Sequence, residues 1–426
     1  MNSKKIKALL IIEQCNPEWS SVPLEGYKYY QSICQLVDAT LVTHERNEPA
    51  LSKVIGNNEI VYMRESNFSK NYHNLVASLT YLGKTKWPLY NALSYLVYAE
   101  FNRNVYEQFK KQILNREYDI VHVLTPMMPR YPAKVVKACE HTPFLLGPVN
   151  GGVPFPKGFQ KVARQEFAQF NFLRAIGRVV IPGYAETYRK ADKVLAGSTY
   201  TLNYLKNLFS LSDKRINLFY ENGISKDFFT EITKSKHDNI IDLLFVGRLV
   251  PYKGADMLIE SISKLSKDIQ AKVRLTIVGD GSERSNLETK VSELDLNKIV
   301  KFTGWVKQEE TLEYYKKSDV FCFPSIREFG GAVVLEAMAC GLPCIVVNNG
   351  GIGEYVTEKT GFKLEPISRK HVIQGLTDKI NNLVLDDNLR LQMSANSVER
   401  VKEFEWGHKA EKIVEMYSEM INRKYM

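Results

Sequence analysis

The sequence predicts an α/β protein built from two doubly wound, parallel-sheet domains. Three observations carry this. Short apolar runs rich in Val, Ile, Leu and Phe alternate with helix-length segments along the whole chain, the pattern of strands covered on both faces. At 426 residues the chain is too long for one ordinary core. The rhythm breaks once, at Tyr220-Glu221-Asn222-Gly223-Ile224, ahead of a polar run over 230–239. The break ends a first block at 225, and a second opens at 226.

In the first block the expected strands are 8–12, 39–42, 60–62, 120–123, 144–146 and 193–196. The run 8–12 is too short for a signal or a membrane span, and Glu13 ends it, so it reads as a buried strand. Cys15-Asn16-Pro17-Glu18-Trp19 follows as a loop, and Gly26 precedes a helix over 27–36. Two segments are rich in apolar and aromatic residues. One is 72–109; the other, 161–189, combines Phe167, Phe170, Phe172, Leu173, Ile176, Val179 and Val180 with Arg164, Arg174, Arg178 and Arg189. The second has the make-up of a basic interfacial helix, or of a helix packed on its own core; both readings stay open. Neither segment holds an apolar run long enough to span a bilayer. In the second block, strands are expected at 243–246, 273–278, 300–302, 320–323 and 344–347. Helices are expected near 257–265, 287–294 and 309–316, at the segment holding Glu336, and over 404–425.

Hydrophobic residues make up 44% and charged residues 25%, values of a soluble globular chain. The net charge of +9 is uneven. Residues 1–227 hold 29 Lys and Arg against 19 Asp and Glu, the remainder 28 against 29. An acidic partner for the first block follows: anionic lipid, a phosphorylated acceptor or nucleic acid, with plain solubility as the other explanation. The six cysteines show neither a disulfide framework nor metal-ligand spacing, which fits a reducing, cytoplasmic setting.

Chemistry gathers at strand ends. After the run 320–323 come Ser325-Ile326-Arg327-Glu328-Phe329-Gly330-Gly331 and then a helix with Glu336. A strand, a glycine turn and a helix start form an anion site, and two carboxylates there suit a ligand that also carries hydroxyls. Phosphate with hydroxyls suggests a nucleotide sugar; an acidic first helical turn is the plainer reading. Gly247-Arg248-Leu249-Val250-Pro251-Tyr252-Lys253-Gly254 places a guanidinium and an ammonium on one strand-end loop, suited to a leaving diphosphate. It is no Walker loop, because Gly-Lys-Ser/Thr is missing. Gly279-Asp280-Gly281 reads as a tight turn lining the same place. In the first block, Gly147-Pro148-Val149-Asn150-Gly151-Gly152 would let a backbone approach a ligand. His122 ends an apolar strand and is a candidate base or sugar contact, or a structural histidine. Metal-ligand clusters and serine-nucleophile motifs are absent from the sequence, so neither a metal nor another cofactor is expected.

Gly247-Arg248-Leu249…Lys253-Gly254, Gly279-Asp280-Gly281, Phe302-Thr303-Gly304-Trp305-Val306 and Glu328 through Glu336-Ala337-Met338-Ala339-Cys340-Gly341-Leu342-Pro343 together resemble the family-four retaining glycosyltransferases of the GT-B fold. The first block resembles a bacterial subset concerned with capsule, exopolysaccharide and lipopolysaccharide assembly. The resemblance rests there on Cys15–Trp19, Asp119-Ile120-Val121-His122 and the glycine loop. The tail Phe404-Glu405-Trp406 is similar to the family's last helix, which crosses back to the first domain. The resemblance therefore implies two Rossmann-like domains facing a central cleft, 1–225 with 405–426 for the acceptor and 226–404 for the donor. Closure is expected to hinge near 221–226 and the tail helix. Arg248 and Lys253 would hold the donor diphosphate, with Gly279 nearby. Glu328 would contact donor sugar hydroxyls, Gly330 and Gly331 would offer N–H groups, and Glu336 would bind ribose. Asn150, Gly151 and Gly152 would face the acceptor, with His122 a catalytic candidate. The position two residues after His122, His in many members, is Leu124, and Asn150 stands where the subset usually has Gly.

The activity this implies is transfer of a sugar from a nucleoside diphosphate to a lipid-linked or saccharide acceptor, in the cytoplasm or on the inner face of the plasma membrane. The rival is a non-catalytic nucleotide- or glycan-binding protein, or a nucleic-acid-associated basic protein. That rival would need no combination of the paired glutamates with the Arg/Lys loop.

Overall fold

A computed structural model describes residues 5–54, 59–81, 87–229 and 240–425. The polar run 230–239 lies outside the described residues, as do the side chains of Trp87, Pro88, Arg174, Gln308 and Tyr425. The chain forms two compact units. Unit 1 comprises Met1–Gly152, Phe167–Glu221 and Trp406–Met426; unit 2 comprises Val153–Glu166 and Asn222–Glu405. The segment Val153–Glu166, expected in the first domain, packs with the second. Arg327 Nε donates to the Val153 carbonyl at 2.7 Å and Asn349 Nδ2 to the Pro154 carbonyl at 3.2 Å, which ties it down.

Unit 1 is a seven-stranded parallel sheet in the order β3-β2-β1-β4-β5-β6-β7. Its strands are β1 (Lys7–Ile12), β2 (Asp38–His44), β3 (Ile60–Met63), β4 (Ile120–Thr125), β5 (Phe144–Val149), β6 (Lys193–Ala196) and β7 (Ile216–Leu218). Successive residues of β1 serve opposite faces. Leu9 and Ile11 join one core cluster with Val121, Val123 and Phe101, while Ala8, Leu10 and Ile12 join another with Tyr29, Trp406, Ile413 and Tyr417. Strands with both faces covered need apolar residues at every position, which is why these runs were readable.

The first helix is Val22–Ile33, starting five residues before the expected 27, with Pro23 in its first turn. Gly26 therefore lies inside it. A Cβ there would stand 2.2 Å from the Gln14 carbonyl oxygen, so glycine lets this helix lie against the loop after β1. The aromatic segment 72–109 divides into helices Asn67–Thr80, Trp87–Leu93 and Tyr95–Leu114; the segment 161–189 contains Gln160–Gln165, Phe172–Val180 and Tyr184–Lys190.

Unit 2 is a six-stranded parallel sheet in the order β10-β9-β8-β11-β12-β13. Its strands are β8 (Ile241–Val246), β9 (Val273–Val278), β10 (Val300–Gly304), β11 (Val320–Phe323), β12 (Cys344–Val347) and β13 (Gly361–Leu364). Each sheet reverses its strand order beside its first strand, as doubly wound sheets do, and ligands of such folds sit beyond the carboxyl ends at that point. The final helix, Trp406–Tyr425, returns to unit 1, where Trp406 packs edge-on against Tyr29 at 4.8 Å. No helix among the described residues is long and apolar enough to cross a membrane.

Candidate active site

In unit 2 the loops after β8, β9 and β11 meet at the carboxyl edge. Gly279 allows the first meeting. Its φ is +133°, and a Cβ on it would stand 2.0 Å from the Gly247 carbonyl oxygen. The two turns are zipped together by Gly247 N donating to the Val278 carbonyl at 3.0 Å and Leu249 N to the Asp280 carbonyl at 2.9 Å. Gly279 thus acts through backbone packing that sets the Arg248 loop.

That loop places its two cations differently. Arg248 is exposed, with Nη2 donating to the Tyr252 hydroxyl at 3.0 Å. Lys253 is 9% exposed; its ammonium is ion-paired with Glu328 and lies 4.9 Å from the Phe323 ring centroid at the end of β11. Ser325 Oγ donates to the same Glu328 carboxylate at 3.1 Å. Residues 75 positions apart are therefore joined: Lys253, Glu328 and Ser325 form one polar cluster with Arg248 at its rim. Each of these two largely covered side chains thus has a partner of opposite sign beside it.

The turn after Glu328 depends on Gly331. Its φ is +76°, and a Cβ would stand 2.4 Å from Ile352 Cγ2 and 2.9 Å from Glu328 Cγ. The helix Ala332–Ala339 starts there. With its amide oxygen turned toward them, Asn222 accepts from Gly331 N at 3.0 Å and Ala332 N at 3.1 Å. The Gly331 N–H, expected to serve a ligand, thus already has an acceptor within the protein. The Gly330 N–H has none among the described residues. Glu336 lies one turn in, 6% exposed, and accepts from the Tyr315 hydroxyl at 2.8 Å. Burial, with Glu336 beside it, pushes the Tyr315 hydroxyl well above its usual range, so it stays a donor that fixes the carboxylate. Asn222 and Tyr315 were missed as site residues. The Asn-Gly pair read only as a boundary, and nothing near Tyr315 in sequence points to Glu336.

Unit 1 gives a different result. His122 does not line an open strand end. It is fully buried within β4, Nε2–H donating to the Gly147 carbonyl at 2.6 Å and Nδ1 accepting from the Tyr417 hydroxyl at 2.6 Å. Burial holds its pKa down at about 4, with the Gly147 bond opposing. Both nitrogens are thus bonded to the protein's own groups inside the sheet, and His122 does not stand at a ligand-facing strand end as its sequence position suggested. Asn150 is 1% exposed, its side-chain oxygen accepting from Ser198 Oγ at 2.9 Å and Thr201 Oγ1 at 2.8 Å. These bonds lock the glycine loop to the start of the helix Thr199–Phe209. Gly151 N donates to Thr201 Oγ1 at 3.1 Å, and Gly152 follows with φ +84°. Among the described residues no group of three or more His, Cys, Asp or Glu could hold a metal ion.

Comparison with known proteins identifies the fold. Structures similar over the full length include Anabaena HepE in complex with UDP and glucose, with a TM-score of 0.60 at 17% identity, covering 97% of this chain and 100% of that one. The apo lipopolysaccharide outer core galactosyltransferase WaaB gives 0.64 at 15% identity, covering 97% and 100%. The chain thus has the GT-B glycosyltransferase fold of two Rossmann-like parallel-sheet units. Residues 226–400, which hold the whole Lys253–Glu328 cluster, match the model of glycosyl transferases group 1. An uncharacterized glycosyltransferase of Methanocaldococcus jannaschii is 30% identical over 243 residues, 55% of this chain and 60% of the relative. The matched part thus spans less than two thirds of that protein.

Proposed function

We propose that the protein is a retaining glycosyltransferase that moves a sugar from a nucleoside diphosphate to an acceptor hydroxyl, without a metal. The observation that carries this is the Lys253–Glu328–Ser325 cluster with Arg248 at its rim, seated between two glycine turns at the carboxyl edge of unit 2. Arg248 and Lys253 supply positive charge to the leaving diphosphate, and Glu328 accepts hydrogen bonds from donor-sugar hydroxyls. Glu336, oriented by Tyr315, is suited to the ribose hydroxyls. In the reaction the anomeric carbon's bond to the diphosphate oxygen breaks as the acceptor oxygen bonds on the same face. The acceptor proton passes to the departing phosphate oxygen, so no protein base is required, which accords with the engaged state of His122.

Gly151 and Gly152 lie at the carboxyl edge of unit 1, on the acceptor side. The positive charge of that unit suits a lipid-linked or phosphorylated saccharide acceptor at the inner face of the plasma membrane. Assembly of bacterial surface polysaccharide or glycolipid is the corresponding process. HepE binds UDP and glucose, and WaaB acts on the lipopolysaccharide outer core, both with this fold.

The test is incubation with UDP-, GDP- and ADP-sugars and saccharide or lipid-linked acceptors, following nucleotide release and anomeric configuration by NMR, with and without EDTA. Release of one nucleoside diphosphate and product of retained configuration, unaffected by EDTA, is expected. Failure to consume any donor, or an inverted product, overturns the proposal.

A further inference from the structure

All of the chain's positive excess lies in unit 1. Its segments hold 29 Lys and Arg against 20 Asp and Glu, while unit 2 holds 28 of each. The same unit leaves a set of apolar side chains uncovered by its own core. On the helix Phe172–Val180, Phe172, Ile176, Val179 and Val180 are 56%, 48%, 86% and 63% exposed, and Ala175 is exposed beside them. Those positions, i, i+3, i+4, i+7 and i+8, make one continuous stripe along the helix. On the helix Asn67–Thr80, Leu75 and Leu79 share one face and are exposed, with exposed Tyr81 just beyond. The helix Trp87–Leu93 packs against both, so the two exposed faces flank one element. Single exposed apolar residues need no explanation; a stripe running the length of a helix does. Around it the residues 167–190 carry Arg174, Arg178, Arg189 and Lys190 against one acid, Glu186.

We propose that this face of unit 1, centred on Phe172, Ile176, Val179 and Val180, docks onto an anionic lipid bilayer. The helix lies in the interface plane with its stripe among the acyl chains, and the basic excess of the unit faces the acidic headgroups. At nine residues the helix is far too short to cross, so attachment is shallow and reversible. The two contributions act together. Apolar insertion holds the protein once it arrives, and the charge brings it to acidic membranes in preference to neutral ones.

This rests on the membrane setting proposed above, but binding is read without any transfer reaction. Flotation with phosphatidylcholine vesicles, with and without phosphatidylglycerol, tests it. The parent is expected to float only with the acidic vesicles and to be released by raised salt. The variant I176D/V179D, at exposed positions that leave the fold intact, is expected to bind about tenfold more weakly or worse, the scale for losing two inserted apolar side chains. L79D tests the second helix and should weaken binding as well. Donor hydrolysis without vesicles should equal the parent's in both variants. Undiminished flotation of I176D/V179D overturns the proposal. So does a parent that never floats but forms a dimer which I176D/V179D dissociates, since the face would then cover a second copy. A parent that floats but consumes no nucleotide sugar leaves the docking face standing and removes the transferase reading alone.

Discussion

His122 and Lys253 make an instructive pair. Both are polar residues taken out of water at a parallel sheet, one in each unit. His122 is consumed by its own fold, with the Gly147 carbonyl on one nitrogen and the Tyr417 hydroxyl on the other. Lys253 is held by an opposite charge beside two glycine turns, with the exposed Arg248 near it. Burial alone therefore does not mark a site. What distinguishes them is the partner: neutral, geometrically complete bonds fix a structure, whereas a compensated pair of full charges keeps groups that a charged, hydroxylated ligand can engage.

Four measurements would break or sharpen the contrast. Lys253→Ala should lower turnover by about a hundredfold or more while the protein stays folded, the loss associated with removing a preorganised charge donor. Near-normal transfer by that variant would contradict the role assigned to the cluster. His122→Phe should do the reverse. It leaves Gly147 and Tyr417 without their partner and lowers stability by about 2 kcal/mol in urea titration, with turnover per folded molecule nearly unchanged. A folded but inactive His122→Phe would restore the histidine to the chemistry.

The third concerns Lys409, 4% exposed, whose ammonium donates to the Tyr220 carbonyl and lies 4.3 Å from the Phe219 ring centroid. Burial lowers its pKa to about 7, with Glu25 and Glu221 opposing the shift and Lys412 adding to it. The unfolded chain binds this proton more tightly, so stability should rise with pH from about 7 toward 10, and the full penalty applies below 7. The slope from one such group is about 1.4 kcal/mol per pH unit at most. Lys409→Met should abolish that component in thermal melts across the range; an unchanged slope would show that another group carries it. The smallest effect is expected for Asn222→Ala, about 1 kcal/mol of stability, the scale of a lost helix cap, with weaker nucleotide binding as the helix start loosens. Tighter nucleotide binding would instead mean that Asn222 competes with the ligand for the Gly331 N–H.

Much of the fold was legible because parallel strands covered on both faces leave a plain record. The runs 193–196, 273–278, 320–323 and 344–347 match β6, β9, β11 and β12 end to end. The two strands that escaped, β7 and β13, are short edge strands interrupted by Asn217 and Lys363. An edge strand needs less apolar cover and so leaves a weaker signal. Unit 2's polar cluster was foreshadowed because Arg248, Lys253, Glu328 and Glu336 all lie on loops or a helix start next to glycines. The engaged state of His122 was not, because Tyr417 is 295 positions away. Likewise, Asn222 and Tyr315 act on residues of the Glu328–Glu336 stretch to which nothing local in the sequence links them.

The return of the final helix to unit 1 has a consequence for how the protein is made. Ala8, Leu10 and Ile12 leave the ribosome well before Trp406, Ile413, Tyr417 and Met420, with which they share a core. One face of the unit 1 sheet therefore stays bare until the helix Trp406–Tyr425 has been made. Unit 2, drawn from Val153–Glu166 and Asn222–Glu405, has its whole chain out before that helix is synthesised. Unit 1 is thus begun before unit 2 and completed after it, and the nascent chain presents an apolar sheet face to chaperones in the interval. A chain cut short before Trp406 should accordingly aggregate through unit 1 while unit 2 still folds.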